Sequence, residues 1–499
     1  MKETGENSGF FAGAERVSLE DVLAFREEKA QRQKKLLAEY GVPLLCLGLN
    51  MPGEYKRFPL AARSFCEELK AVRLSLASEG IAVIHAETFE AAGGYAAFIT
   101  AAYPPEKLKE IAVSIEDRHP LGRLFDIDVL REDGEKISRG SFGKQGRPCL
   151  ICGGDAFACG RSRAHSAEEL RNAAAALMAA FQRERLADLI AAAALKALIG
   201  EAAVTPKPGL VDRINNGAHR DMDFFSFIDS TAAIIPYFRN CALAGFNAAE
   251  IPPEEMRALP LSSPGHPAAL FNSLRPAGKS AGLSMLEATG GANTHRGLIF
   301  SIGLASASFG VFFRHREQIA AEEILDFIAS MTCRVRDDFS GGELSHGEVI
   351  HRRYGIGGVR EEAARGFPAV RDALPLLRRN LSAGYTLNDA GLAVFLRLLI
   401  SVADTNIIHR SGPETLLEIQ KNASAFLSSN PGPAGMAEYA AEMDREFIAK
   451  NISPGGCADL LALTLFLHWL LLPGKFQFQA AGEAEEFSGG NRKRDFFPR

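Results

Sequence analysis

SAEELRNAAAALMAAFQRERLADLIAAAALKALI, residues 166–199, divides this chain into two textures. Its Ala and Leu recur at helical spacing, and Ala, Leu, Glu, Arg and Lys are all good helix formers. The apolar pattern breaks only near Phe181 to Arg185. Upstream, residues 1–160 mix apparent strands and helices. Downstream, β-branched alternation almost vanishes and apolar helical stretches run on to Leu472, most clearly at 231–243, 293–313, 320–335, 388–402 and 459–472. The expected fold class is therefore multidomain: an α+β module (1–183) followed by a larger all-α module (184–474), with the joint near 182–186. The polar, Gly-containing segment 475–499 is expected to be a disordered tail.

The total length of 499 residues fits two or three domains. With 47% apolar and 23% charged residues the composition is that of a globular chain, which excludes bulk disorder and a fibrous repeat. A net charge of −5 argues against a nucleic-acid partner, which calls for a basic surplus. Residues 1–15 are polar and lack the apolar core of a secretory signal. The longest apolar run, 460–472, is broken by Thr464 and His468 and falls short of the ~20 residues that cross a bilayer, so a core helix and no membrane is expected. Eight cysteines spread through such a chain read as thiols of a reducing, cytoplasmic compartment. In the first module, Ser18 and Asp21 have capping-box spacing for a helix over 18–37. Residues 43–49 and 80–85 read as strands, and 111–115 and 124–130 as two strands flanking a turn at 119–122.

Within the last of these, Phe125-Asp126-Ile127-Asp128-Val129 alternates. In a strand, residues i and i+2 share a face, so Asp126 and Asp128 converge while Phe125, Ile127 and Val129 turn to the core. Two adjacent carboxylates repel unless a cation lies between them, and Mg²⁺ with substrate phosphates suits oxygen ligands. Arg123 lies close enough in sequence to hold a phosphate. A solvated strand face is the competing reading. Cys149-x2-Cys152-x6-Cys159-x5-His165 offers a Cys3His zinc set, against the alternative of a Gly-rich loop with free thiols.

The all-α module interrupts its helices with polar loops. Lys207-Pro208-Gly209-Leu210-Val211-Asp212 and Gly217-Ala218-His219-Arg220-Asp221-Met222-Asp223 precede a helix from Phe224, which Asp223 is suited to cap. One cap leaves Asp212, His219 and Asp221 unexplained and keeps a metal or polyphosphate site open. Gly291-Ala292-Asn293-Thr294-His295-Arg296-Gly297 leads into an apolar helix whose first amides suit phosphate oxygens. Residues 347–351 and the glycine-rich 354–362, with Arg360, read as a further loop. Asp404-Thr405-Asn406 ends another helix.

The stretch Gly122 to Val129, together with Arg147-Pro148-Cys149-Leu150-Ile151-Cys152 and Cys159 to Ser166, resembles the apo-citrate lyase phosphoribosyl-dephospho-CoA transferases over about 18–180. The Asp-x-Asp is also similar to the metal pair of polymerase-β-type nucleotidyltransferases. Residues 188–472 resemble the triphosphoribosyl-dephospho-CoA synthases through the loops above and Asn451-Ile452-Ser453-Pro454-Gly455-Gly456-Cys457-Ala458-Asp459-Leu460. The resemblance implies a two-step enzyme: ATP and 3′-dephospho-CoA give 2′-(5″-triphosphoribosyl)-3′-dephospho-CoA and adenine. The phosphoribosyl-dephospho-CoA group then passes to a serine of the citrate lyase acyl carrier protein, releasing pyrophosphate. It implies Mg²⁺ on Asp126 and Asp128, and metal or base roles for Asp212, Asp221 and Asp223. It also implies phosphate or adenine contacts for His219 and His295, and substrate contacts for Arg123, Lys207, Asn293, Arg296, Arg360, Asp404 and Asn406. Members often carry Lys where this chain has Arg296. The alternatives are a malonate decarboxylase carrier, or a first module that only docks the carrier.

Overall fold

The computed structural model describes residues 9–11, 14–143, 146–335 and 346–472; the expected tail lies outside them. Packing divides the chain into one unit within Met1–Arg185 joined by Arg314–Gln318, and a second formed by Leu186–Phe313 with Ile319–Leu472.

The first unit runs α1 (Leu19–Tyr40), β1 (Leu44–Gly48), α2 (Pro59–Ser78), β2 (Val83–Ala91), β3 (Gly94–Ala101), α3 (Pro105–Arg118), β4 (Asp128–Leu130), α4 (Ala156–Ser162) and the start of α5 (Ala167–Ala203). Ser18 caps α1 through the expected box: its Oγ accepts from the Asp21 amide at 3.1 Å, and Asp21 accepts from the Ser18 amide at 2.9 Å. The four strands form one antiparallel sheet in the order β2-β3-β1-β4. Leu36 and Leu37 of α1 cover Leu44 and Cys46 of β1 and Ala96 and Phe98 of β3. β4 lies at the sheet edge with Asp128 opposite Cys46.

Three local expectations are corrected. Residues 111–115 lie in α3, because Leu108, Ala112 and Ile115 follow Pro105 at i, i+4 and i+7 and are buried on one helical face. The strand over 124–130 shrinks to β4 and a single bridge of Phe125 to Leu49. The alanine-rich β3, buried along its whole length, carries no polar alternation and was invisible for that reason. α5 also continues unbroken through 181–185, since Gln, Arg and Glu interrupt an apolar stripe but not helical geometry.

Among its described residues the second unit holds only helices: α6 (Phe224–Ala248), α7 (Pro253–Ala258), α8 (Pro267–Ala288), α9 (Arg296–His315), α10 (Ala321–Met331), α11 (His346–Tyr354), α12 (Gly358–Ala364), α13 (Pro368–Ser382), α14 (Leu387–Ser401), α15 (Thr405–Ser411), α16 (Pro413–Ser428), α17 (Pro433–Lys450) and α18 (Gly455–Leu470). Residues 347–351, expected as loop, belong to α11. α9 alone is long and apolar enough to cross a membrane as a single helix among those described, and most of it is buried within the fold.

α6 and α9 cross at glycines. A Cβ on Gly245 would lie 1.9 Å from the Ala307 carbonyl oxygen, and one on Gly310 would lie 2.1 Å from that of Ala242. Each added Cβ would meet backbone atoms, so no neighbouring side chain can yield. Gly245→Ala is expected to cost about 1–3 kcal/mol or more through overpacking, measured as a lowered denaturation midpoint, whereas Gly282→Ala, which meets open space, should leave the midpoint unchanged or raise it.

Candidate active sites

In the first unit, the backbone amide of Asp126 donates to Gly48 O at 2.7 Å and so fixes the alternation that follows. Phe125, Ile127 and Val129 are fully buried, while the side chains of Asp126 and Asp128 keep 43% and 19% of their surface. The two carboxylates line a cleft of about 550 Å³ with Lys109, Glu116, Lys136, Arg139 and Arg147. Lys136 Nζ lies 2.6 Å from Asp128, and Arg147 Nη2 lies 3.8 Å from Asp126. Arg147 also donates to Phe125 O at 2.6 Å and pairs with Glu116, which accepts the Ile127 amide at 3.1 Å.

Behind the pair sits Glu68 of α2, fully buried. One oxygen accepts the Asp126 amide at 3.2 Å and the other has no hydrogen-bond partner. Burial, then the Asp126 charge, pushes its carboxyl well above the ordinary range. Glu68 and Lys136 escaped the sequence reading because nothing local separates them from surface residues of amphipathic segments. Arg123 differs from expectation: its Nε donates to Pro148 O, so it props the following loop. In that loop the ligating atoms of Cys149, Cys152, Cys159 and His165 all lie within 4.8 Å of one another, which no other His, Cys or acidic group of three does among the described residues. The Cys152 thiol is drawn down to about 6, chiefly by His165, and Cys159 is pushed up to about 12, chiefly by Cys152.

In the second unit, the loop before α6 is organised by carboxylates. Asp212 accepts from the amides of Lys207 (3.0 Å), Ile214 (2.7 Å) and Asn215 (3.1 Å). Asp444 of α17 accepts from the Gly209 amide and from Asn215 Nδ2, both at 2.9 Å. Lys207 is buried; its Nζ pairs with the Glu201 carboxylate and donates to Glu201 O at 2.8 Å, so it serves an internal ion pair and is not turned out toward phosphate. Asp223 caps α6, its Oδ1 taking the Ser226 amide at 2.9 Å. His219 hydrogen-bonds Ser453 Oγ at 2.9 Å, with Asp221 3.9 Å from its other nitrogen; burial, and then Arg410, pushes its pKa down. Asp221 and Asp223 do not join a third Cys, His or acidic residue in a ligand group among the described residues.

His295 is fully buried against Phe227, with Nδ1 2.6 Å from Ser230 Oγ. Thr294 donates to that same oxygen at 2.7 Å, which leaves Ser230 to donate to Nδ1 and His295 Nε2 without a partner. Asp404 accepts the amides of Asn406 (2.8 Å) and Cys457 (2.9 Å), tying α15 to α18. Asp459 of α18 lies within the Asn451–Leu460 motif. Its carboxylate stands where a Cβ on Gly297 would be, 1.9 Å away, so only glycine lets α9 approach it. Burial, then Glu201 and Asp404, holds the Asp459 carboxyl well above its usual range. Asn293 and Arg296 are exposed beside this cluster in sequence, while Arg360 lies in α12 and Asn406 at the start of α15.

Burial, then Lys207, depresses the His295 pKa from 6.5 to about 3. The unfolded chain therefore takes up this proton first, and stability present above pH 6.5 is lost as pH falls toward 3. At pH 5 the loss amounts to about 2 kcal/mol. Raised carboxylates such as Asp404 contribute the opposite slope, so the measurement is comparative: denaturation of wild type should weaken between pH 7 and pH 5 relative to His295→Gln, and parallel curves would contradict a neutral buried imidazole.

Comparison with known proteins matches both halves. The family described as ATP:dephospho-CoA triphosphoribosyl transferase (CitG) fits residues 187–477, and that described as apo-citrate lyase phosphoribosyl-dephospho-CoA transferase (CitX) fits residues 17–181. "Protein CitXG" of Haemophilus influenzae is 31% identical over 92% of this chain and 97% of its own length. The protein of the same name from Leuconostoc mesenteroides is 32% identical over 92% of this chain and 98% of its own. A 2-(5″-triphosphoribosyl)-3′-dephosphocoenzyme-A synthase of Klebsiella pneumoniae is 40% identical over 56% of this chain and 90% of its own. The chain belongs to the CitXG family, transferases in which a CitX part precedes a CitG part in one polypeptide.

Proposed function

We propose that the two steps of making and attaching the citrate lyase prosthetic group are divided between the two units. The observation that carries the division is that each unit has its own cluster of compensated carboxylates, within its own family match. In the all-α unit, the 2′-hydroxyl of 3′-dephospho-CoA attacks C1 of the ATP ribose as the bond to adenine breaks. The transition state is oxocarbenium-like, and negative or hydrogen-bonding groups lower it. His219, kept neutral and oriented by Ser453, is suited to take the hydroxyl proton, with Asp221 near enough to stabilise the imidazolium. Asp459, whose carboxyl burial pushes well above its usual range, is suited to donate a proton to the departing adenine. Asn293, Arg296, Arg360 and Asn406 are assigned to the triphosphate. Asp212 and Asp404 position their loops, and Asp223 caps a helix.

In the first unit, the carrier serine attacks the α-phosphorus of the triphosphoribosyl intermediate and pyrophosphate leaves. Asp126 and Asp128 would hold Mg²⁺, which when bound supplies positive charge to the triphosphate. The chemistry of the donor set suits that ion: both carboxylates line the cleft, and the buried Glu68, which accepts the Asp126 amide, has a second oxygen without a hydrogen-bond partner. Lys136, Arg139 and Arg147 line the same cleft and are suited to phosphate oxygens. A four-stranded antiparallel sheet with Asp-x-Asp leading into its edge strand supports the nucleotidyltransferase-like reading. The acidic pair also favours a catalytic first unit over one that only docks the carrier. The compartment is the cytoplasm, where ATP is supplied.

Incubating apo-carrier with this protein, ATP, Mg²⁺ and 3′-dephospho-CoA should raise the carrier mass by the phosphoribosyl-dephospho-CoA group. An unchanged citrate lyase carrier with a labelled malonate decarboxylase carrier would reassign the partner. Asp126→Asn should lower carrier labelling at least 100-fold and leave adenine release intact; loss of both would contradict independent sites. Asp459→Asn should lower adenine release about 10²-fold or more while labelling from supplied triphosphoribosyl-dephospho-CoA persists.

A further inference from the structure

The loop that follows the acidic cleft is folded as a metal knuckle. The Cys149 amide donates to Gly154 O at 2.5 Å and the Gly153 amide returns to Cys149 O at 3.1 Å, a tight turn that needs Gly153 at φ 71°. This turn brings the sulfurs of Cys149 and Cys152 together. Asp155 then caps α4, accepting the Ala158 amide at 2.8 Å, and α4 carries Cys159 back to them with the Cys152 and Cys159 sulfurs 3.5 Å apart. Arg163, at φ 49°, ends that helix, and Ala164 donates to Cys159 O at 3.1 Å, which delivers His165 to the cluster. His165 Nε2 is buried and has no hydrogen-bond partner.

We propose that Cys149, Cys152, Cys159 and His165 bind one Zn²⁺ in a closed, four-coordinate structural site, and that this site holds Arg147 over the acidic cleft. With Zn–S near 2.3 Å and Zn–N near 2.0–2.1 Å, tetrahedral ligand atoms stand about 3.5–3.8 Å apart. The four atoms already lie within 4.8 Å of one another, so small side-chain rotations close the shell. All four thiol and imidazole groups bind as thiolate or neutral imidazole, and the displaced protons pass to water. Four protein ligands leave no open position, so the ion is structural and takes no part in the displacement at phosphorus.

The positioning role rests on the cleft's assigned activity; the metal site does not. Arg147, two residues before Cys149, reaches Phe125 O and Glu116, while Pro148 O accepts from Arg123. The knuckle thereby anchors one end of the segment whose other contacts shape the Asp126 loop.

The test uses the full chain. Purified protein is expected to retain about one zinc per chain after dialysis. Its Co²⁺-substituted form should show thiolate-to-cobalt charge transfer, as tetrahedral Cys3His sites do. Cys159→Ser and His165→Ala should lose stoichiometric zinc and that band. Carrier labelling should fall at least tenfold, mainly through a raised KM for the triphosphoribosyl substrate, with adenine release unchanged as the folding control. Protein without zinc whose thiols all react with a disulfide reagent would overturn the site. So would a mass lower by two hydrogens, which marks a Cys152–Cys159 disulfide, or zinc retained by Cys159→Ser. Lost zinc with unaltered labelling would overturn the positioning role and leave the two-step activity standing.

Discussion

A charge removed from water has to be answered by a counter-charge, a set of hydrogen bonds or a retained proton, and both sites of this chain are organised by that requirement. In the all-α unit the Lys207–Glu201 pair is sealed from solvent and ties the loop that begins at Thr205 back to the end of α5. Asp212 spends its oxygens on three amides and Asp444 spends its own on Gly209 and Asn215. What remains uncompensated is chemically useful. Burial pushes the Asp459 carboxyl well above its usual range and draws the His295 imidazole down to about 3.

The first unit applies the same rule at an open cleft. Asp126 and Asp128 are only partly withdrawn from water, so Arg147 and Lys136 suffice to balance them. Glu68, buried beneath with its carboxyl pushed well above the usual range, keeps the backbone of Asp126 in register through its amide. Three elements therefore converge on one loop: α2 through Glu68, α3 through Glu116, and the cysteine-rich segment through Arg147.

Much of this was legible in the residue order, for identifiable reasons. The alternation from Phe125 to Val129 is a local property, and it placed both carboxylates on one face although regular pairing begins only at Asp128. Ser18 and Asp21 declared a helix start, as Asp223 did. Pairings between one element and another were not legible. Lys207 looks like a phosphate ligand until Glu201, six residues earlier, is seen to enclose it. Asp459 gains significance only because Gly297, on another helix, lies against it. Residues 111–115 were misread because five apolar positions do not distinguish a buried strand from a helix face.

The central claim, two ordered displacements on one chain, is tested most directly by following the phosphorus species in time. With ATP, Mg²⁺ and 3′-dephospho-CoA but no carrier, phosphorus NMR should show triphosphoribosyl-dephospho-CoA accumulating and no pyrophosphate, while chromatography of the same samples shows one free adenine for each. Addition of apo-carrier should then convert that pool to protein-bound phosphodiester with one pyrophosphate per carrier. Pyrophosphate appearing before the carrier is added, or carrier modification without stoichiometric adenine, would contradict the account.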